Sequence, residues 1–182
     1  MEMSATRVIP APLEKVWQGL NDPDTLKECI PGCESFTRET DTKWVAVVAA
    51  KVGPVSARFT GAIELTDVAP PTSYTMNFKG QGGAAGFANG EARVALSPAP
   101  GNQTSLAYTA KAQVGGKLAQ IGSRLIDGVA AKLADDFFER FAARYGTPEP
   151  APAAGHPPEP HFPRWLIVAA IVGLVATGWM LR

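Results

Sequence analysis

The segment from Gly116 to Tyr145, GKLAQIGSRLIDGVAAKLADDFFERFAARY, limits most strongly what the rest of the chain can build. Leu118, Ile121, Leu125, Val129, Leu133, Phe137 and Phe141 recur at steps of three and then four, with Lys117, Arg124 and Asp127 opposite. That spacing predicts one long amphipathic helix with a buried stripe. At 1.5 Å per residue it spans roughly 45 Å, so it needs a broad apolar surface to lie on. Because steps of four overshoot the turn, the stripe rotates as it advances, and either the surface beneath curves or the helix bends at Gly128. Gly146, with Pro148 beyond it, supplies a stop.

The surface comes from the residues before it. Residues 2 to 9 read as a strand ended by Pro10 and Pro12, and Pro12 suits the first position of a short helix with Leu13, Val16, Trp17 and Leu20 on one face. Asp22-Pro23 caps a second short helix that stops before Cys29-Ile30-Pro31-Gly32-Cys33. From Glu34 onward the apolar period changes to two. Val55, Ala57, Phe59, Gly61, Ile63 and Leu65 face one side; so do Tyr74, Met76, Phe78 and Gly80, then Ala88, Gly90, Ala92, Val94 and Leu96, then Leu106, Tyr108, Ala110, Ala112 and Val114. Polar residues alternate with them, so each strand has a dry and a wet face. Trp44 to Ala50 is apolar on both faces, and its register stays open. Turns are expected at Asp41-Thr42, Gly53-Pro54, Pro70-Pro71, Gly82-Gly83 and Pro100-Gly101-Asn102. The order strand, two short helices, six strands and a long helix is an α+β arrangement, a curved antiparallel sheet of about seven strands closed by the C-terminal helix. This folded domain occupies residues 1–146.

After Gly146 the character changes. Residues 147–163 carry seven prolines and form a stiff linker, which reaches on the order of 50 Å when extended. Trp165 to Leu181, WLIVAAIVGLVATGWML, holds no charge and is bracketed by Arg164 and Arg182. Residues 164–182 therefore read as a C-terminal transmembrane helix of about 25 Å with tryptophans at its interfaces, against the competing readings of a buried core helix or a cleaved tail. Met1-Glu2 opens no basic-then-apolar leader, so the domain is expected on the cytoplasmic side of the inner membrane.

The chemistry-bearing residues are sparse. Lys plus Arg and Asp plus Glu are equal at 17 each, which offers no electrostatic footprint for nucleic acid. The well-read inward faces hold no Asp, Glu, Lys, Arg or His, which leaves acid–base catalysis without candidates there. His156 and His161 lie in the linker, and Cys29-x-x-x-Cys33 has no second pair, so no metal is expected and the cysteines read as a reducible bridge or as buried thiols. GQGGAAGFANG lacks the Lys-Ser/Thr of a phosphate loop and joins strand to strand; it reads as a flexible, bulged hairpin able to gate a cavity. The inward residues are small: Gly61, Gly80, Ala88, Gly90, Ala92, Ala110 and Ala112 from the sheet, Ala119 and Gly122 from the helix. Either helix and sheet lie close or an apolar space remains, and the length of the strands favours the space. The expected lining is Phe59, Gly61, Met76, Phe78, Leu106, Tyr108, Ala110, Leu118, Ile121, Gly122, Leu125 and Val129, with Tyr108 as the obvious hydroxyl.

Asn21-Asp22-Pro23 with Leu26 and Cys29-Ile30-Pro31-Gly32-Cys33, the glycine-rich GQGGAAGFANGEARV, and KLAQIGSRLID together resemble the family of carbon monoxide dehydrogenase G subunits over residues 1–146. That family is START-like, within the Bet v 1-like helix-grip superfamily. The resemblance implies a non-catalytic accessory protein that ties a molybdenum-containing carbon monoxide dehydrogenase, or a related hydroxylase, to the cytoplasmic membrane. It further implies a hydrophobic small molecule in the cavity; a respiratory quinone, menaquinone or ubiquinone, suits an oxidoreductase partner. No catalytic residue is carried over. A small cyclase or hydrolase of the same fold and a pure tether without ligand are the alternatives. Phe87, on the polar side of its strand beside the glycine-rich loop, is the expected contact for the hydroxylase.

Overall fold

The structure, a computed structural model, describes residues 1–145. The linker, the uncharged tail and the stop at Gly146 lie outside the described residues. Among the described residues no helix is long and apolar enough to cross a membrane.

Strand β1 (Glu2–Ile9) leads into α1 (Leu13–Leu20) and α2 (Pro23–Cys29). Pro12 stands one position earlier than expected, as the extended residue that caps α1. Asp22 caps α2: its carboxylate accepts from the backbone N–H of Thr25 at 2.9 Å and from the Thr25 hydroxyl at 2.6 Å. These bonds favour the charged form and hold the Asp22 carboxyl below its ordinary range. Six strands follow: β2 (Cys33–Arg38), β3 (Lys43–Val52), β4 (Val55–Ala69), β5 (Ser73–Gln81), β6 (Phe87–Ala99) and β7 (Gln103–Gly115). They form one antiparallel sheet in the order β1-β7-β6-β5-β4-β3-β2, in which the first strand pairs with the last through Met3 opposite Ala110 and Ala5 opposite Tyr108. The inward residues of β4 to β7 are those that the alternation predicts, and β3, apolar on both faces, turns Trp44 and Ala46 into the core.

Two expectations are corrected. The glycine-rich connection carries no bulge: β5 and β6 stay in register to Gln81 opposite Phe87, and a 3-10 turn at Gly83–Ala85 joins them. The irregularities fall instead between Cys33 and Ser35 and between Thr66 and Ala69. Gly86 and Gly116 pass so close that a side chain at either would strike the other backbone.

The C-terminal helix is two helices, α3 (Lys117–Ile121) and α4 (Ser123–Ala143), broken at Gly122 with φ 98° rather than bent at Gly128. The buried and half-buried apolar positions of α4 are Ile126, Val129, Ala130, Leu133, Ala134, Phe137, Phe138, Phe141 and Ala142, steps of three and one. A strict step of four drifts about 40° per step at 100° per residue, so Leu125 lies about 160° around the helix from Phe141. Phe141 is 0% exposed and Leu125 56% exposed.

The interior has two clusters. Ile9, Val16, Leu20, Cys29, Leu96, Leu106 and Phe141 close one end, and Leu26, Phe36, Trp44, Ala46, Leu65 and Tyr74 form the other against β3 to β5. Arg7 pairs with Asp135 and Arg144 with Glu28, which tie α4 to β1 and to α2.

Candidate functional site

Between the inner face of the sheet and the C-terminal half of α4 lies a cavity of ≈ 360 Å³. Its floor is Ile63 and Leu65 of β4, Tyr74, Met76 and Phe78 of β5, Ala92 and Val94 of β6, and Leu106, Tyr108, Ala110 and Ala112 of β7. Ala134, Phe137 and Phe138 of α4 form the roof; Leu20, Leu26, Ile30, Phe36 and Trp44 close one side, and Met1 and Met3 the other. The space follows from unequal side-chain sizes. The floor centre is alanine at 92, 110 and 112, while aromatic rings stand between helix and sheet: Phe138 stacks on Tyr108 with centroids 5.4 Å apart, and Phe137 meets Phe138 edge-on at 5.1 Å. Those rings keep α4 off the floor, and the small residues beneath cannot fill the gap.

The lining holds no Asp, Glu, Lys, Arg or His. The side-chain N–H and O–H groups of the lining residues are the hydroxyls of Tyr74 and Tyr108 and the indole nitrogen of Trp44. Burial pushes the Tyr74 phenol well above its ordinary pKa, so it stays a neutral hydroxyl at any physiological pH. Trp44 is 3% exposed, and its Nε1–H has no hydrogen-bond partner. An unmade bond of this kind costs about 1–3 kcal/mol. The Arg38 guanidinium stands 5.7 Å from its ring centre, and Phe36 meets it edge-on at 5.5 Å. Such a lining holds an apolar molecule by burial and orients it weakly; proton transfer would need groups that titrate near neutrality. Two concavities of ≈ 490 and ≈ 530 Å³ on the outer side of the sheet are larger, but Ser4, Thr6, Thr75, Arg93 and Thr109 line one, and Glu2, Asn77, Asn89, Glu91 and Lys111 the other. They are more open than the inner cavity and a larger share of their lining is polar, so they bury an apolar molecule less well.

Of the residues expected at the lining, Met76, Phe78, Leu106, Tyr108 and Ala110 stand on it and the others do not. The Phe59 ring lies over Gly82, in the place of a side chain there, and Gly61 is half-buried farther along β4. Leu118 is buried where α3 meets β7 and the Gly83–Ala85 turn, and Ile121 stands beside Gly53. Gly122 and Ala119 are exposed, Leu125 is exposed, and Val129 is half-buried on α4. The cause is the break at Gly122 together with the helical phase. Trp44 escapes a reading by alternation because its strand is apolar on both faces, and Phe138 because a stripe in fours passes over it. Tyr74 is legible as an inward residue, and its hydroxyl joins that of Tyr108 on the wall.

Cys29 and Cys33 are free thiols, Cys29 in the core, and burial raises the pKa of both. Among the described residues no cluster of metal-ligating side chains occurs. Phe87 is 38% exposed, and its ring covers its cross-strand partner Gly115, so part of its role is to shield that strand.

The family described as the G subunit of carbon monoxide dehydrogenase (CoxG) matches residues 6–146. No curated protein matches. Among solved structures, a conserved protein from Geobacillus kaustophilus is 35% identical with a TM-score of 0.75, over 80% of this chain and 95% of its own. A START superfamily protein from Mycobacterium smegmatis is 15% identical with a TM-score of 0.60, over 79% of this chain and 96% of its own. The Zhui aromatase/cyclase from Streptomyces sp. R1128 is 12% identical with a TM-score of 0.60, over 80% of this chain and 93% of its own. The last two establish a START-like fold.

Proposed function

The chain belongs to the CoxG family of carbon monoxide dehydrogenase G subunits, and on that premise we propose that it is a non-catalytic accessory protein that carries a hydrophobic ligand for a molybdenum-containing carbon monoxide dehydrogenase-type hydroxylase. The observation that carries this reading is the ≈ 360 Å³ cavity lined without a charged side chain. Its volume is at the small end of ligand pockets, about 300–1,000 Å³. It suits a ring-sized head group, with any long tail leaving through the opening. Respiratory quinone, menaquinone or ubiquinone, has that shape, and a quinone gives an oxidoreductase partner a route to the respiratory chain. The segment 164–182, uncharged between Arg164 and Arg182, anchors the protein in the cytoplasmic membrane, and residues 147–163 give the domain reach from it. The cyclase reading rests on fold alone, and the lining supplies it no acid–base pair.

The direct test is mass spectrometry of protein purified in mild detergent from cells that make a quinone. A co-purifying quinone in near-stoichiometric amount is expected. A protein that returns no apolar ligand under conditions that retain lipids favours the pure tether. Recruitment is read separately, by whether the hydroxylase stays with membranes in cells whose protein lacks residues 164–182.

A further inference from the structure

Given the hydrophobic-ligand reading, on which this rests, we propose that Trp44 selects and orients the ligand. Its indole N–H donates to a carbonyl oxygen on an uncharged, ring-sized head group, which lies at the α2 end of the cavity with any tail directed toward Met1.

Tryptophan is a costly choice for this place. Trp44 stands on the cavity wall with Leu26, Ile30 and Phe36, where apolar surface alone would close the space. The side chain is 3% exposed, and its Nε1–H has no acceptor among the described residues. A phenylalanine would line the wall without leaving a buried donor unpaired. The indole is braced from outside the cavity. Phe36 meets it edge-on, the Arg38 guanidinium lies over its ring, and Arg38 in turn donates to the Asn21 carbonyl. A cation over the ring draws electron density from it, which strengthens the N–H as a donor. Nε1 itself is covered, so the acceptor meets it through a small shift of the wall.

The lining decides which acceptor fits. It holds no Lys, Arg or His, so a carboxylate or phosphate would be buried without a counter-charge. A plain hydrocarbon would leave the N–H unpaired, whereas a neutral carbonyl meets both conditions. The hydroxyls of Tyr74 and Tyr108 either donate or accept and so set no such requirement. The strand register gives the direction. Trp44, Ile63, Phe78, Gly90, Ala112 and Met1 form one row across the sheet, from β3 to the residue before β1. Five steps of about 4.8 Å separate the ends of that row by roughly 24 Å along the curved floor. A head group of one or two rings covers only part of that distance. Bound at Trp44, it directs its tail along the row toward Met1, which is 39% exposed.

The test uses residues 1–149, a compact unit. This domain covers 95% of the Geobacillus kaustophilus chain, so in that relative it stands as a protein of its own. Two probes of one shape are compared: duroquinone, whose fully substituted ring does not add thiols, and durene, the same ring without its carbonyls. Proton–nitrogen NMR resolves the indole groups of Trp17 and Trp44, the two tryptophans of this segment. Duroquinone should move the Trp44 indole proton downfield, and durene, which reports ring stacking alone, should not. Calorimetry should show duroquinone bound more tightly although durene is the more apolar. Trp44→Phe should lower that preference by about three- to tenfold, the worth of one hydrogen bond. The preference is a ratio taken on one protein, so packing lost with the smaller ring cancels from it. Circular dichroism checks that the variant is folded; if it is not, the resonance shift in the parent decides. A Trp44 resonance that duroquinone leaves in place, or a preference that Trp44→Phe leaves unchanged, overturns the proposal while the cavity reading stands. Failure of both probes to bind removes the hydrophobic-ligand reading and this proposal with it.

Discussion

The hydroxyl of Tyr145 occupies the space that a side chain at Gly19 would need, and it donates to the carbonyl of Lys15 at 3.2 Å. The last described residue of the domain is thereby held against α1, with the Phe141 ring beneath it, and this contact closes the end of the core away from the α3–α4 break. Gly19→Ala should push Tyr145 and Phe141 aside at about 1–3 kcal/mol, only part of it offset by the about 0.5–1 kcal/mol that alanine returns in a helix. Denaturant unfolding should show a lower midpoint with the slope unchanged, and adding Tyr145→Phe should recover part of the loss. A single variant as stable as the parent would mean that the contact is slack.

Thr104 is fully buried, and its hydroxyl donates to the Ala11 carbonyl at 2.7 Å, joining β7 to the segment before α1. Thr104→Val keeps the shape but leaves that carbonyl unpaired in the interior, a loss of about 1–3 kcal/mol. Thr104→Ser keeps the bond and removes one methyl, about 1 kcal/mol. Thermal unfolding should rank serine above valine; the reverse order would mean that packing outweighs the bond.

Filling the cavity tests whether it is used. Ala110→Phe places a ring over the floor beside Tyr108 and should lower the ligand retained through purification while stability changes little. A site already full would lose about 1–3 kcal/mol to strain. Tyr108→Phe keeps the stack on Phe138 and removes one hydroxyl, so a drop in retained ligand would assign that hydroxyl an orienting role.

The acid side of stability should report Asp22. Its carboxyl is held below the ordinary value of 3.8 chiefly by the bond from the Thr25 hydroxyl and then by the Thr25 N–H. A carboxylate with a depressed folded pKa contributes stability that is complete above the unfolded value and lost as pH falls through the folded one. Asp22→Ala should cost about 1 kcal/mol at neutral pH as a lost helix cap. Its deficit relative to the parent should shrink below pH 3.8; a deficit constant down to that range would show that the charge is not what matters.

The tail should behave independently of the domain. The full chain should sediment with membranes and resist salt and carbonate washes, because an uncharged span inserts by apolar burial. Removal of residues 164–182 should leave a folded, soluble domain, since the core closes at Phe141 and Tyr145. Release of the full chain by salt alone would contradict the anchor.

The strands are legible in the sequence because a period of two is local: each of β4 to β7 declares its dry face within a few residues, and a single slip would invert it. The Asp22-Pro23 cap is legible for the same reason. The candidate site is legible only in part. The alternation places Met76, Phe78, Leu106, Tyr108 and Ala110 inward from sequence alone, and they stand on the cavity.

What the chain alone leaves open depends on geometry summed over distance. A helix face read in steps of four is right near Phe137 and Phe141 and wrong by Leu125, because an error of about 40° per step accumulates; Ile126, within about 60° of Phe141, is the residue that phase buries. The side of β3 that carries Trp44 inward follows from its pairing with Ile63 and Arg38, which no alternation within that strand reveals. The cavity is the least local feature of all. Small residues on β6 and β7 become a space only because Phe137 and Phe138, about 25 to 45 positions away along the chain, hold the helix above them, and because Met1 and Met3 stand at its side through pairing of the first strand with the last. Side-chain volumes are written in the sequence; the separation of the layers they must fill is set by packing across the whole domain.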